Sequence, residues 1–330
     1  MLRRTFIAGS LGTMAGVIGG CKPGAIERQG DLYTGAALAF GTVVKVSLFH
    51  ADGIIAERAI EDAFAAAHLV DRSMSIYSEA SEVFQLNLHG AIERPSPHLL
   101  TVLRQARDLS ALTRGAFDIT VQPLWRVYQQ AMGSGGRPAH PDRLKASAKV
   151  GCEHVQVDEQ RVALLKPGMQ ITLNGLAQGY AADLALGALR ARGIGSALVD
   201  MGEFSAQGRK PSQQPWTLGV PDPRDVGSLL ARLRLEGRSV ATSGDYASAF
   251  TPDFVHHHIF DPATGESPQE LSSVTVVAPN GMLADGLSTA FMVMGAREAH
   301  ALAARLPQVD VMTVNKRGVV WKSPTFPSHA

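Results

Sequence analysis

Residues 171–200 read ITLNGLAQGYAADLALGALRARGIGSALVD, and this stretch constrains the fold more than any other in the chain. A short apolar run, Ile171 to Leu173, enters Asn174-Gly175. An Ala/Leu-rich run then continues at helical spacing to Gly193, a residue suited to close a helix, and a second apolar run ends at Asp200. The pattern predicts strand, tight turn, helix and strand. Glycines at 175 and 179 let backbone approach a ligand, and the first turn of a helix offers unpaired N–H groups at its positive dipole end. A phosphate is the natural guest for such a turn. Taken alone, however, the stretch fits an ordinary strand-to-helix connection better, because it matches neither GxxxxGK[ST] nor GxGxxG. Other parts of the chain must decide.

The first residues, MLRRTFIAGSLGTMAGVIGGC, combine Arg3-Arg4, a weakly apolar Gly/Ala-rich run and Ile18-Gly19-Gly20-Cys21. This resembles a twin-arginine export signal ending in a lipobox, with residues 1–20 removed and Cys21 lipidated. The apolar run is too short for a comfortable membrane span. The expected product is a periplasmic protein anchored to the membrane through lipidated Cys21. Residues 21–37 are expected to be a tether and residues 38–325 the folded domain. Cys152 is then the only cysteine left, which excludes an intramolecular disulfide. Loss of two arginines and no acids turns the formal charge from +1 to −1, so no nucleic-acid surface is implied. A hydrophobic fraction of 45% supports a substantial core, as one large domain or two intimately joined halves.

Along the chain, Ala39 to Phe49 alternates as a first strand. Residues 54–74 carry apolar residues at helical spacing. Ser96-Pro97 opens a helix that Gly115 closes, and residues 129–145 form a Gly/Pro-rich surface excursion able to separate two halves. β-like runs follow at 196–200, 216–220, 231–235, 255–260, 272–278, 309–314 and 318–321, with helices at 282–294 and 296–306. The expected class is mixed α/β, with mixed sheets and packed helices.

Chemistry-bearing residues are scattered. His256, His257 and His258 are consecutive; in a strand His256 and His258 share a face and His257 points away, so at most two converge on one ion. A single working histidine is expected rather than zinc, with His257 dispensable. In the helical run LADGLSTA, Asp285 and Thr289 stand at i and i+4 on one face, with Ser288 one step round. A carboxylate and a hydroxyl are hard oxygen donors, suited to Mg²⁺ or Ca²⁺. A helix-terminal acid beside packed hydroxyls fits the same residues.

Taken in order, FGT (40–42), MSIYSEASEVFQLN (74–87), GAFDITVQPL (115–124), LNGLAQGYAADLA (173–185), MGEFSAQG (201–208), TSGDYASAF (242–250), HHIFDPATG (257–265) and LADGLSTA (283–290) resemble the ApbE family, the FAD:protein FMN transferases formerly called thiamine-biosynthesis lipoproteins. The likeness runs from about Leu38 to about Trp321. It implies an enzyme that uses FAD as substrate and, with Mg²⁺, transfers FMN to a Ser or Thr hydroxyl of an acceptor flavoprotein, releasing AMP. By position it assigns Asp285 and Thr289 to the metal. Ser288 falls where some members have a second acid, and Ala177 and Gly175 lie in the turn that completes the metal and pyrophosphate site. Phe40, Tyr77 and the tripeptide Ala116-Phe117-Asp118 fall in the flavin pocket, and His258 near the reacting phosphate. Thr172 and Gln178 are expected at the nucleotide but depart from the family, which usually has aspartate and then lysine or glutamate there. Gly202-Glu203 replaces a usual Gly-Gly pair. A Mg²⁺-dependent FAD pyrophosphatase and a flavin-binding lipoprotein without chemistry are the alternatives.

Overall fold

The computed structural model describes residues 22–135, 137–225 and 227–329. The leader and Cys21 lie outside them. A meander of β1 (Ile26–Gln29), β2 (Leu32–Ala39) and β3 (Thr42–Phe49) leads into α1 (Gly53–Met74), α2 (Glu82–His89), β4 (Ala91–Glu93) and α3 (Pro97–Leu112). Next come α4 (Gln122–Ala131), α5 (His140–Ser147), β5 (Val155–Val157), β6 (Arg161–Leu164) and α6 (Ala177–Ala191). Five strands follow: β7 (Ser196–Asp200), β8 (Phe204–Gln207), β9 (Trp216–Pro221), β10 (Leu229–Leu235) and β11 (Ser239–Gly244). The chain closes with β12 (Leu271–Ala278), α7 (Gly281–Ala303), β13 (Asp310–Asn315), β14 (Val320–Lys322) and β15 (Ser328–His329).

Nine strands pair in the order β1-β2-β3-β7-β8-β11-β12-β13-β14, and every one of these pairings is antiparallel. The mixed α/β class holds, while the mixture is of helices with strands and not of strand directions. One face of the sheet carries Val44, Val46, Val199, Val274, Val276 and Val311 into a core shared with α1, α3, α6 and α7. The other face, including Val240, Val277 and Met312, is covered by the small sheet β15-β10-β9. All eight residues of β12 are therefore buried, the hydroxyls of Ser272, Ser273 and Thr275 included, so the strand carries no charged residue on either face.

Several local expectations are corrected. The segment expected as a tether forms β1 and most of β2, and Tyr33 is buried against α1. The expected first strand is interrupted by a turn at Phe40-Gly41, both with positive φ (55° and 73°), the geometry of a tight hairpin. Ile171 to Leu173 pairs with no strand; it is an extended segment held by Asn87, whose side chain receives Ile171 N–H and donates to its carbonyl. The excursion at 129–145 contains the start of α5 and divides nothing, because one core runs through both halves of the sheet. Residues 255–260 form no strand; only an isolated bridge joins His257 to Ala249. The break expected between 294 and 296 is real: Gly295 has φ 77°, and Glu270 accepts the freed Ala296 N–H at 3.0 Å. The Ser96 cap with Pro97 at the first helical position forms as read.

Candidate functional site

No side chain caps the N-terminus of α6, so its first N–H groups need partners from elsewhere. Gly179 N–H donates to Oδ2 of Asp285 on α7 at 3.0 Å. In return Asp183 of α6 accepts Gly281 N–H at 2.6 Å and Met282 N–H at 2.9 Å, at the first turn of α7. The two helices thus exchange carboxylates, each anion sitting at the other's positive end. This requires close crossing, and glycine makes it possible: a Cβ at Gly179 would enter the Gly281 carbonyl, and one at Gly281 the Gly179 carbonyl.

Burial raises the pKa of the Asp285 carboxyl and the Asp183 charge adds to this, against the Gly179 hydrogen bond. One turn further along α7 stands Thr289. Ser288 donates to the Asp285 carbonyl (2.9 Å), so Ser243, at the end of β11, donates to Ser288 (2.7 Å) and lies 3.4 Å from the Thr289 hydroxyl. Ser288 is thereby occupied, whereas the second Asp285 oxygen and Thr289 Oγ1 are the outward donors of this face. Gly175 lies against both Thr289 and the buried Phe117 ring: a Cβ there would stand 3.0 Å from Thr289 Oγ1 and 3.4 Å from Phe117. Ala177, in the same turn, is the first residue of α6. Thr172 N–H bonds to the Ile119 carbonyl (2.8 Å), tying the 116–118 segment to this turn.

Gln178 lays its amide over Gly202, and Glu203 accepts Thr242 N–H at 3.2 Å. Its carboxyl is driven well above the usual range, first by burial and then by neighbouring Asp285. Asp118, expected at the flavin, is also a builder of its own loop. Its oxygens accept Thr120 N–H, Thr120 Oγ–H and Cys152 N–H, so its carboxylate builds the loop that presents Ala116 and Phe117. Phe40 sits in the β2–β3 turn and Tyr77, 68% exposed, on the loop after α1. Among the described residues neither is hydrogen-bonded or ring-stacked to the Asp285 group.

His258 lies on the loop that follows β11. Its N–H and Nδ1 both face the Ser248 carbonyl, at 3.0 and 3.2 Å, so Nδ1 carries the proton and Nε2 is left as the basic nitrogen. Burial lowers its pKa, opposed by the Ser248 bond and Asp245, so the ring is neutral near pH 7. His257 is fully buried; its backbone N–H donates to Ser267, its Nε2 to the Pro268 carbonyl at 3.1 Å, and burial pushes it down to about 4. His257 is a packed residue of the loop's foundation, a structural place distinct from the working role given to His258. His256 packs on Tyr128, whose hydroxyl donates to Glu266 at 2.5 Å. Asp245, with no side-chain exposure, receives Arg224 and Lys316 and so clamps the start of the same loop.

Sequence reasoning missed Asp183, Ser243 and Asp245 as builders of the centre. Asp183 had a visible signal, standing four residues after Gly179 on one helix face. Among the described residues, no three His, Cys, Asp or Glu side chains converge as a metal cage. The donors are instead one or two carboxylates with hydroxyls, a set that fits a hard cation completing its shell with phosphate or water.

The Asp285 carboxylate and the Ser288 and Thr289 hydroxyls, gathered where two helix N-termini cross at glycines, define an α/β protein with hard oxygen donors collected at one helix crossing. The chain belongs to the ApbE family, whose sequence pattern matches residues 40–313. It is similar to the FAD:protein FMN transferase of Vibrio cholerae, 32% identical over 257 residues covering 75% of this chain and 76% of that protein. The FAD:protein FMN transferase of Salmonella typhimurium is 31% identical, covering 87% and 86%. Among solved structures, the ApbE protein of Thermotoga maritima superposes with a TM-score of 0.80 at 29% identity, covering 90% of this chain and all of that one.

Proposed function

We propose that this chain is an FAD:protein FMN transferase: it moves FMN from FAD onto a Ser or Thr hydroxyl of an acceptor protein and releases AMP. The observation that carries the reading is the Gly179–Asp285 contact with Thr289 one turn on, in a chain of this family. Asp285 and Thr289 hold Mg²⁺, with the Ala177 turn beside them. The ion, when bound, neutralises charge on the pyrophosphate oxygens. The Gly175 turn admits phosphate close to backbone, and Phe117, Phe40 and Tyr77 line the flavin side. His258 accepts the proton of the attacking hydroxyl at Nε2 as that oxygen bonds to the FMN phosphorus and the bond to the AMP oxygen breaks. Thr172 and Gln178 border the nucleotide. Arg3-Arg4 and the Ile18 to Cys21 run support export and a lipid anchor, placing the enzyme in the periplasm where an exported acceptor would meet it.

The test is to incubate the protein with FAD and Mg²⁺, with and without an exported flavoprotein fragment carrying a candidate Ser or Thr. A mass gain on the fragment equal to FMN, with matching AMP, is expected. AMP without the mass gain would replace the reading with a pyrophosphatase, and FAD bound without AMP would replace it with a binding protein.

A further inference from the structure

The chain leaves no slack between the residue read as lipidated and the folded body. Cys21 directly precedes Lys22, and the fold is already under way there: Ala25 N–H donates to the Lys22 carbonyl at 3.0 Å, and Gly24 N–H to the Ala36 carbonyl of β2 at 2.8 Å. Cys21 stands three residues before Gly24, so even a fully extended chain keeps it within about 11 Å of β2. From Ala36 the strand runs on only to Ala39 before turning through Phe40-Gly41 into β3. At about 3.4 Å per residue, Leu38 is about 7 Å from Ala36.

This end of the hairpin carries apolar side chains into solvent. Leu38 and Val43 are paired directly across β2 and β3, so they share one face, and they are 63% and 39% exposed. Further along the same face, Thr34 and Ser47 are buried with their hydroxyls 3.3 Å apart, and Leu32 and Phe49 pack under the small sheet. The cover runs out toward the turn, where polar residues are the ordinary choice. Phe40, in the turn itself, packs against the main core. Single exposed apolar residues such as Ile54, at the start of α1, need no explanation. Leu38 and Val43 differ in standing together, beside the point at which the chain meets its expected lipid.

We propose that the tip of the β2–β3 hairpin is a membrane-contact element: Leu38 and Val43 enter the headgroup layer of the bilayer that holds the lipid on Cys21, and the domain therefore sits on that bilayer in one orientation. The inference rests on the lipid-anchor reading given above. An acyl anchor alone limits only the distance to the membrane, whereas an apolar pair beside it selects which face of the domain meets lipid.

Cys152 is buried, so a cysteine introduced at the surface can be labelled selectively in the lipidated chain. Leu38→Cys and Val43→Cys, each carrying an environment-sensitive fluorophore, are compared with Ile54→Cys and with Arg234→Cys on the exposed side of β10. The full processed chain is placed on vesicles of phosphatidylethanolamine and phosphatidylglycerol bearing headgroup nitroxides, and each variant is first shown to melt with wild type. Labels at 38 and 43 are expected to shift to the blue and lose intensity to the nitroxide, while those at 54 and 234 do neither. No response at 38 and 43, or an equal response at all four positions, would overturn the proposal. So would a blue shift at 38 and 43 produced without vesicles by the acceptor flavoprotein fragment, which would give the pair to the acceptor instead. The mass of the mature N-terminal peptide separates the two levels. Without acyl chains on Cys21 the anchor reading fails and the proposal with it, whereas an acylated Cys21 with water-exposed labels at 38 and 43 removes only the hairpin contact.

Discussion

His257 and His258 are adjacent and chemically identical, yet their surroundings give them opposite duties. Ser248 fixes the proton of His258 on Nδ1 and leaves Nε2 basic, while Pro268 and Ser267 hold His257 inside the protein. His258→Ala is expected to bind FAD nearly normally but to transfer FMN about 10²- to 10⁴-fold more slowly in single-turnover assays. Because burial holds His258 below the usual 6.5, its neutral, proton-accepting form persists as pH falls to 6.5. The acid limb of kcat/KM should therefore lie below pH 6.5, and a limb centred above 7 would count against His258 as the base. His257→Ala should instead lower thermal stability, by about 2 to 4 kcal/mol for a lost buried ring and hydrogen bond. An unchanged melting temperature would return His257 to the dispensable role that alternation alone suggested.

The α6–α7 pair is the element on which the site depends. Gly179 and Gly281 let two helix N-termini cross at backbone contact, and Asp183 and Asp285 neutralise the dipole ends so exposed. Gly179→Ala would gain up to about 1 kcal/mol in helix propensity. It would also force the helices apart, an overpacking that costs about 1 to 3 kcal/mol. The expected net result is lower stability, and with it a displaced Asp285 and slower FMN transfer. Gly187 lies on the same helix with open space around its Cβ position. Gly187→Ala should raise stability by about 0.5 to 1 kcal/mol with transfer unchanged. Chemical denaturation of both variants compares them directly, and equal shifts of the same sign would show that the crossing is not tight.

At the scale of the whole molecule, the site lies where one half of the sheet, with α1 and α6, meets the other, with β11, β12 and α7. A single core joins them, so the domain forms as one unit from β1 to β14. Among the described residues no helix is long and apolar enough to cross a membrane. The proposed attachment through the leader can be tested on the full chain. Replacing Arg3-Arg4 with Lys-Lys should block export, and Cys21→Ser should abolish lipid labelling and leave a soluble or unprocessed form. Fractionation of both variants with wild type would remove the export reading.

The sequence by itself determined the elements whose signals are local. Ser96-Pro97 starts α3, Gly295 breaks α7, and the β7 boundaries follow from its alternating residues up to Asp200. It also placed Asp285 and Thr289 on one helix face, because a 3.6-residue period needs no knowledge of the rest of the chain. Only the tertiary structure decided what those residues meet. Asp285 lies 106 positions from Gly179, and no periodicity reports that one caps the other. Glu203 read as a departure in a loop, and only the fold shows that it accepts the Thr242 N–H, 39 residues later. The runs at 171–173 and 255–260 both read as strands, and which backbone partner each meets is what the fold decides. Asn87, 84 residues earlier, makes the first a strap, and the Ser248 carbonyl makes the second the seat of His258, whereas β1, β2 and β3 pair as neighbours in a local meander.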